Sequence, residues 1–295
     1  MTRTTLATLS ENQVHDWVRV YNEGRRNLPG FVPLTAQDLE LLIKAGLCRR
    51  ESMYIAFEGK RPTAVARFLE SDTEGASFVT DLSSLSRRTS GAPALIENFM
   101  DKARVTAATS LISWSFMAQV RIGDILSKFT FEPKRVRQAM ELQLDSKKEQ
   151  VHSDDARVKT WENKDGHRGL PDWSRRLHGR PMDLFELRDH RSLDWRPRFV
   201  GLSQDLSTPF LIASRSRHNR KRGRIDLVSF FGASSVKEGE LSGVIHELIK
   251  GLSDEGVTSV NTEIDAEIGL RRAFTECGFE VKRTLFQMEL DILQD

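Results

Sequence analysis

Two cations and a glycine stand directly ahead of an amphipathic run at Arg87-Arg88-Thr89-Ser90-Gly91-Ala92-Pro93. The residues that follow, to about 104, carry Leu95, Phe99 and Met100 at helical spacing, so the motif opens a helix. A helix N-terminus offers unpaired backbone N–H groups and a partial positive charge, which suit a phosphate-bearing ligand. An arginine neutralises such a ligand, and a small residue lets it approach the backbone. Pro93 withdraws one N–H from the set, although proline is tolerated in a first helical turn. A second stretch, Ser234-Ser-Val-Lys237-Glu-Gly239-Glu240, also precedes an amphipathic run. Lys237 can replace the arginine there, but Glu240 repels an anion.

Two carboxylates stand near the first motif. Asp81 lies on a strand-like run that enters the loop, and Glu70 precedes it. Either could take a proton from a nucleophile, and either reads equally well as an ordinary surface carboxylate. Arg215–Arg224 holds six Lys or Arg in ten residues between two strand-like runs, with no interleaved aromatics for base stacking. It reads first as a solvated hairpin tip and second as a contact for phosphate, nucleic acid or an acidic partner. The seven histidines are scattered and the two cysteines, Cys48 and Cys277, lie one in each half, so no metal site is expected. Nor is a disulfide framework.

A net charge of +2 argues against nucleic acid as the main partner. No stretch approaches the roughly 20 apolar residues of a membrane span, and the first residues lack the apolar run of a secretory signal. A cytoplasmic protein, monomer or homodimer, is the expectation.

The elements that must position these residues occur twice in the same order. Helical spacing covers 11–23 and 35–45, where Thr35 and Asp38 form a capping-box pattern. Strand-like runs follow at 53–57, 63–69 and 77–82, then the long helix, a strand at 110–115, a helix at 120–128 and a strand at 135–144. The polar segment 145–179 reads as a linker. Beyond it come strands at 199–203, 209–213 and 224–231, a helix at 240–252, a strand at 257–264, a helix at 267–277 and a final strand from 279. A shift of about 149 positions lays Ala107-Ala-Thr-Ser-Leu111 on Gly256-Val-Thr-Ser-Val260 and Phe99-Met100 on Leu248-Ile249. Such a repeat implies two copies of one fold.

This order, with Gly256–Ile264 and Leu270-Arg-Arg-Ala-Phe-Thr-Glu-Cys-Gly278-Phe279, resembles the acyl-CoA-dependent N-acyltransferase (GNAT) superfamily. Thr130 takes the place of the corner glycine in the first half. The resemblance implies an α+β fold with a mixed α/β sheet, in two tandem domains. Residues 1–148 would form the first, 149–180 a linker and lead-in, and 181–295 the second. It also implies acetyl-CoA or a related acyl-CoA as co-substrate, and an amine on a small molecule or peptide as acceptor. Cofactor contacts would fall on Leu82, Ser83, Ser84, Arg87, Arg88, Thr89, Ser90, Gly91 and Ala92, and catalysis on Asp81 or Glu70. The tyrosine acid of the family falls on Leu126 and Phe274, which have no hydroxyl. The first domain, whose loop keeps Arg88 and Gly91 where the second has Glu240, is the better candidate for activity, and a degenerate double domain that binds a ligand or partner is the alternative.

Overall fold

A computed structural model describes residues 3–28, 31–70, 75–85, 90–116, 119–144, 158–160, 195–201, 210–216, 219–228, 238–265 and 270–292, with the single positions 184 and 187. The chain forms two compact units that are each discontinuous in sequence. The first comprises residues 1–134, 180–188 and 285–295; the second comprises 135–179 and 189–284. The expected division at 148 and 180 follows chain order instead, and keeps each last strand with the half that precedes it.

In the first unit a short strand, β1 (Thr4–Thr8), leads through a 3-10 turn into helix α1 (Val14–Arg25). Helix α2 (Ala36–Lys44) opens with the expected capping box: Asp38 N–H donates to Thr35 Oγ1 at 3.0 Å and Thr35 N–H to Asp38 Oδ2 at 3.0 Å. Strands β2 (Met53–Glu58), β3 (Arg61–Glu70) and β4 (Ala76–Ser84) follow, then helix α3 (Gly91–Val105), strand β5 (Ser110–Phe116) and helix α4 (Val120–Lys128). β1 to β4 pair antiparallel in chain order, and β4 pairs parallel with β5. The far edge of β5 pairs with residues Leu285–Asp291 of the last strand, β12 (Glu280–Asp291).

Helices cover both faces of this sheet. Leu95 and Phe99 of α3 and Leu126 of α4 pack with Phe68, Val79, Met288 and Leu290 on one face. On the other, Trp17 and Tyr21 of α1 and Leu39 and Leu42 of α2 pack with Ile55 and Val65, joined by Leu184 and Leu187. Each fully buried residue of this kind contributes about 1.5–3 kcal/mol. Paired strands and two-sided helical cover make this a mixed α/β sheet, as expected.

The second unit repeats the plan. β6 (Glu132–Gln143), from Arg137 on, pairs antiparallel with β11 (Ser259–Asp265). β11 pairs parallel with β10 (Arg222–Val228), then β9 (Phe210–Ser216), β8 (Trp195–Gly201) and β7 (Val158–Thr160) continue the sheet antiparallel. Helices α5 (Glu238–Asp254) and α6 (Leu270–Glu276) pack Leu248, Leu252 and Phe274 against Ile225, Val260 and Met140. Part of the expected linker is thus strand: β7 pairs with β8. Among the described residues no helix is long and apolar enough to cross a membrane.

The repeat extends to backbone conformation. β5 and β11 begin at Ser110 and Ser259, 149 positions apart. The helix before each ends in the same way. Ala108 N–H donates to Ala103 O across Ala107 (φ 53°), and Val257 N–H to Leu252 O across Gly256 (φ 82°). Helices α4 and α6 end alike, with Thr130 (φ 61°) and Gly278 (φ 88°) in the left-handed region. These are C-terminal caps in which glycine avoids a Cβ clash of roughly 1–2 kcal/mol.

Two tests follow from this architecture. A Cβ at Gly256 meets nothing within 4 Å, so its cost is conformational alone. Gly256→Ala is expected to lower unfolding stability by about 1 kcal/mol, and Ala107→Gly to raise it by up to about 1 kcal/mol, read from denaturant midpoints. Shifts of the same sign at both positions would contradict the cap assignment. Ending the chain after Thr284 strips β5 of its antiparallel partner and removes Met288, Leu290 and Ile292 from the first core. Hydrogen exchange of the β5 amides should then accelerate by at least about a hundredfold; unchanged protection would mean that β5 does not need this strand.

Candidate functional site

Strand β4 is the element on which the site turns. Its parallel pairing with β5 runs over four rungs, from Ala76/Ser110 to Val79/Ser113, and Ser113 Oγ donates to Val79 O at 3.1 Å on the last of them. Among the described residues β4 has no β5 partner beyond Val79, although it continues to Ser84. β5 meanwhile continues to Phe116 on β12. At the same place β4 bulges against β3. Arg67 faces Thr80 and Val65 faces Ser83, so Asp81 and Leu82 both oppose Ala66. The two parallel strands therefore part where the bulge begins.

Asp81 fixes this distortion. It has φ 59°, a region that short polar residues adopt more readily than others, and its side chain is fully buried. One carboxylate oxygen accepts from Arg67 Nε at 2.5 Å and Thr80 Oγ1 at 2.9 Å. The other accepts from the Leu184 backbone N–H at 2.9 Å and lies 3.7 Å from the Arg25 guanidinium. Arg25 also donates to Ser83 Oγ at 3.4 Å, and lies over the rings of Tyr21 and Phe116 at 4.7 and 5.7 Å. It thus touches β4 through Asp81 and Ser83 and β5 through Phe116. Gly24 permits this approach, because a Cβ there would sit 2.8 Å from Ser83 Cβ.

The expected cofactor residues divide into three groups. Leu82, Ser83 and Ser84 are buried on β4 beyond the last parallel rung. Ser90 is exposed and caps α3, while Gly91 and Ala92 are buried in its first turn. A Cβ at Gly91 would lie 2.4 Å from Thr63 Oγ1 and 3.2 Å from Ala56 and Ala64, so this glycine lets the helix close on β2 and β3. Arg87, Arg88 and Thr89 lie outside the described residues. Of the two candidate bases, Asp81 sits in the buried ion-pair cluster. Glu70 is exposed at the opposite end of β3, six residues beyond Ala64, which pairs with Ser84. At about 3.3 Å per residue that is roughly 20 Å along the strand. Asp81 opposes Ala66, four residues or roughly 13 Å along the strand from Glu70, so the structure does not bring the two carboxylates together.

The second unit shows the same parting. β10 and β11 pair parallel over three rungs, ending at Arg224/Asn261, and β10 then continues to Val228. Beyond that rung lie Asp226, Glu263 and Asp265, ion-paired with Arg224 at 2.7 Å, Arg137 at 3.4 Å and Arg135 at 2.9 Å. Gly239 and Glu240 fall within α5, whereas Ser234–Lys237 lie outside the described residues. In the basic hairpin, Arg215 and Arg224 are committed to Glu255 and Asp226, while Arg220, Lys221 and Arg222 are exposed.

Other reactive groups are held inert. Burial pushes the Cys48 thiol up to about 11 and the Cys277 thiol up to about 12. Cys277 Sγ lies 3.4 Å from His246 Nδ1, but that nitrogen is 2.8 Å from Ser242 O and must carry its proton to pair there. It cannot accept the thiol proton as well. Leu126 and Phe274 are buried in the two cores, Phe274 edge-on to Phe279 at 5.1 Å. Among the described residues no group of three or more His, Cys, Asp or Glu could hold a metal ion. The buried arginines were the main omission in the sequence reading. The available signal was Arg67 itself, a lone charge in the apolar run Ala64-Val-Ala-Arg-Phe68.

A mixed sheet with a short parallel pair that parts at a bulge, ahead of a helix start, can be compared with known folds. A GCN5-related N-acetyltransferase from Sphaerobacter thermophilus matches with TM-score 0.65 and 14% identity, over 98% of this chain and 96% of that one. The chain has the GNAT fold. A tandem GNAT protein from the clavulanic acid biosynthesis pathway matches with TM-score 0.63 and 15% identity, over 99% and 100% of the two chains. A GCN5-related N-acetyltransferase from Anabaena variabilis gives 0.59 and 14%, over 99% and 73%. No protein-family model and no curated protein matches the chain. At these identities the GNAT likeness is one of fold, and the site chemistry has to be argued from the residues.

The ion-pair cluster gives a direct test. Asp81→Asn keeps a side chain that tolerates φ 59° but leaves two buried guanidinium groups without their carboxylate. It is expected to cost about 3–5 kcal/mol of unfolding stability, whereas exposed Glu70→Gln should stay within about 0.5 kcal/mol. Denaturant titration of the two variants checks both, and equal midpoints would deny Asp81 its central place.

Proposed function

We propose that the chain is an acyl-CoA-dependent N-acyltransferase that places acetyl-CoA, or a related acyl-CoA, between β4 and β5 of the first unit. The observation that carries this reading is the parting of β4 from β5 after Val79/Ser113. Past that rung the β4 main chain has no β5 partner among the described residues, and a helix start lies downstream, on a fold shared with acetyltransferases. That stretch of main chain suits the amide-bearing arm of CoA. The Gly91 and Ala92 N–H groups, which have no partner among the described residues, suit its phosphates, with Arg88 as counter-charge. When bound, the cofactor supplies an activated thioester carbon for attack by an amine on a small molecule or peptide.

In this reading Asp81 is a positioning residue. Its two oxygens already accept hydrogen bonds, and its burial leaves no face for an acceptor ammonium. Glu70 is too distant from the helix start to take part. The two units correspond to tandem GNAT domains, with the first as the active copy, in a cytoplasmic monomer or homodimer.

A degenerate double domain that binds a ligand or partner is the second reading. It is favoured by Leu126 and Phe274, which bury hydrocarbon where a leaving thiolate would need an acid. Calorimetric titration with acetyl-CoA tests the first reading. Wild type should bind, and Arg88→Ala should bind about tenfold more weakly, as expected for a lost charge-assisted hydrogen bond. No detectable binding by wild type would remove the acyltransferase reading, and binding without thiol release across a panel of amines would favour the second.

A further inference from the structure

The start of α3 is capped in an unusual way. Ser90 occupies the N-cap, but its backbone is helical (φ −83°, ψ −1°) rather than extended, and its side chain makes no cap bond within the helix. The reason is local: the N3 residue that an N-cap serine would serve is Pro93, which has no N–H. The first turn also contains no acidic residue to complement the helix dipole. Glu58, at the end of β2, supplies both functions. Its Oε1 accepts from Ser90 N–H at 2.7 Å and from Ser90 Oγ at 3.0 Å, and Ser90 Oγ meets Thr4 Oγ1 at 2.5 Å. The protein's own carboxylate is thus bound at the helix start.

We infer that Glu58 is the specificity-determining residue of the proposed acyl-CoA site, a resident anion that limits how tightly CoA phosphates bind at the start of α3. The inference rests on the acyl-CoA reading for its ligand and on the Glu58–Ser90 contacts for its mechanism. A carboxylate and a pyrophosphate that draw on the same dipole repel each other across a few ångströms. Glu58 therefore stabilises the free protein and weakens the complex. It also selects against inorganic phosphates, which lack the remaining contacts of CoA to offset that repulsion.

The test uses the full chain as wild type, Glu58→Gln and Ser90→Ala, titrated calorimetrically with CoA and followed by thermal shift with inorganic pyrophosphate. Glu58→Gln keeps an oxygen to accept from Ser90 while removing the charge. It should bind CoA about fivefold more tightly and gain a pyrophosphate-dependent rise in melting temperature that wild type lacks. Ser90→Ala loses the hydroxyl contacts but keeps the charge, and should gain neither. No gain by Glu58→Gln with either ligand overturns the inference, as does an equal gain by Ser90→Ala, which would mean that loosening the loop is enough. The outcomes separate the two readings. CoA bound equally by wild type and Glu58→Gln, with no pyrophosphate gain, defeats the role of Glu58 and leaves the acyl-CoA site intact. A pyrophosphate gain in Glu58→Gln without CoA binding by any form defeats the acyl-CoA reading, and with it the specificity role, while leaving Glu58 as an anion that excludes phosphate from the helix start.

Discussion

A single buried carboxylate sets the geometry of the first unit. Asp81 is held by Arg67 from the neighbouring strand, by Arg25 from α1 and by the Leu184 backbone, with its own residue in the left-handed region. A charge pair in the interior is seldom a net source of stability, because desolvation consumes most of the Coulombic gain. Its effect is on conformation. With the carboxylate fixed between two guanidinium groups, β4 must place both Asp81 and Leu82 opposite Ala66. The twist that this adds turns β4 away from β5. The end of the β4/β5 pairing begins at that bulge, and the seating of Gly91 on β2 and β3 follows it in the chain.

The edge of β5 carries the complementary constraint. A strand that loses one neighbour halfway along needs the other throughout, or its N–H and C=O groups are left exposed. β5 obtains that continuous neighbour from residues 285–291, at the opposite end of the chain. β11 likewise pairs along its whole length, from Ser259 to Asp265, with residues 137–143. In each unit the strand beside the gap is therefore completed by sequence from the other half. This is why the compact units do not coincide with contiguous stretches of chain.

Much of this was legible in the sequence where local chemistry decides structure. Thr35 and Asp38 announced a capping box, the apolar spacing of Leu95 and Phe99 announced α3, and the offset of 149 between Ala107 and Gly256 is matched by a shared left-handed cap. The short strand β1 escaped notice because Thr-Thr-Leu-Ala-Thr has too few apolar residues to show a period, and gains its identity only by pairing with β2. Strand partners were equally hidden. Residues 135–144 and 279–292 read correctly as strands, but hydropathy records that a strand is buried and not which neighbour buries it. For the site, Asp81 was picked out as a carboxylate near a helix start. What could not be read was that Arg25 and Arg67, 56 and 14 positions away, would converge on it.

The two gaps also show which features are tied to the backbone and which are free to change. Both units keep a short parallel pair, three or four rungs long, followed by strands that part. The residues beyond the last rung share little. The first unit has Asp81 between two arginines, with hydroxyls at Thr80, Ser83 and Ser84; the second has Asp226, Glu263 and Asp265, each with its own arginine. Helix starts differ as well. Glu58 reaches Ser90 from β2, whereas α5 carries Glu238 and Glu240 in its own first turn. In each case an acidic residue is placed where the dipole is positive, once by tertiary contact and once by sequence. The end of the parallel pairing recurs in both units while the side chains beyond it differ, so the fold persists as the chemistry around it changes.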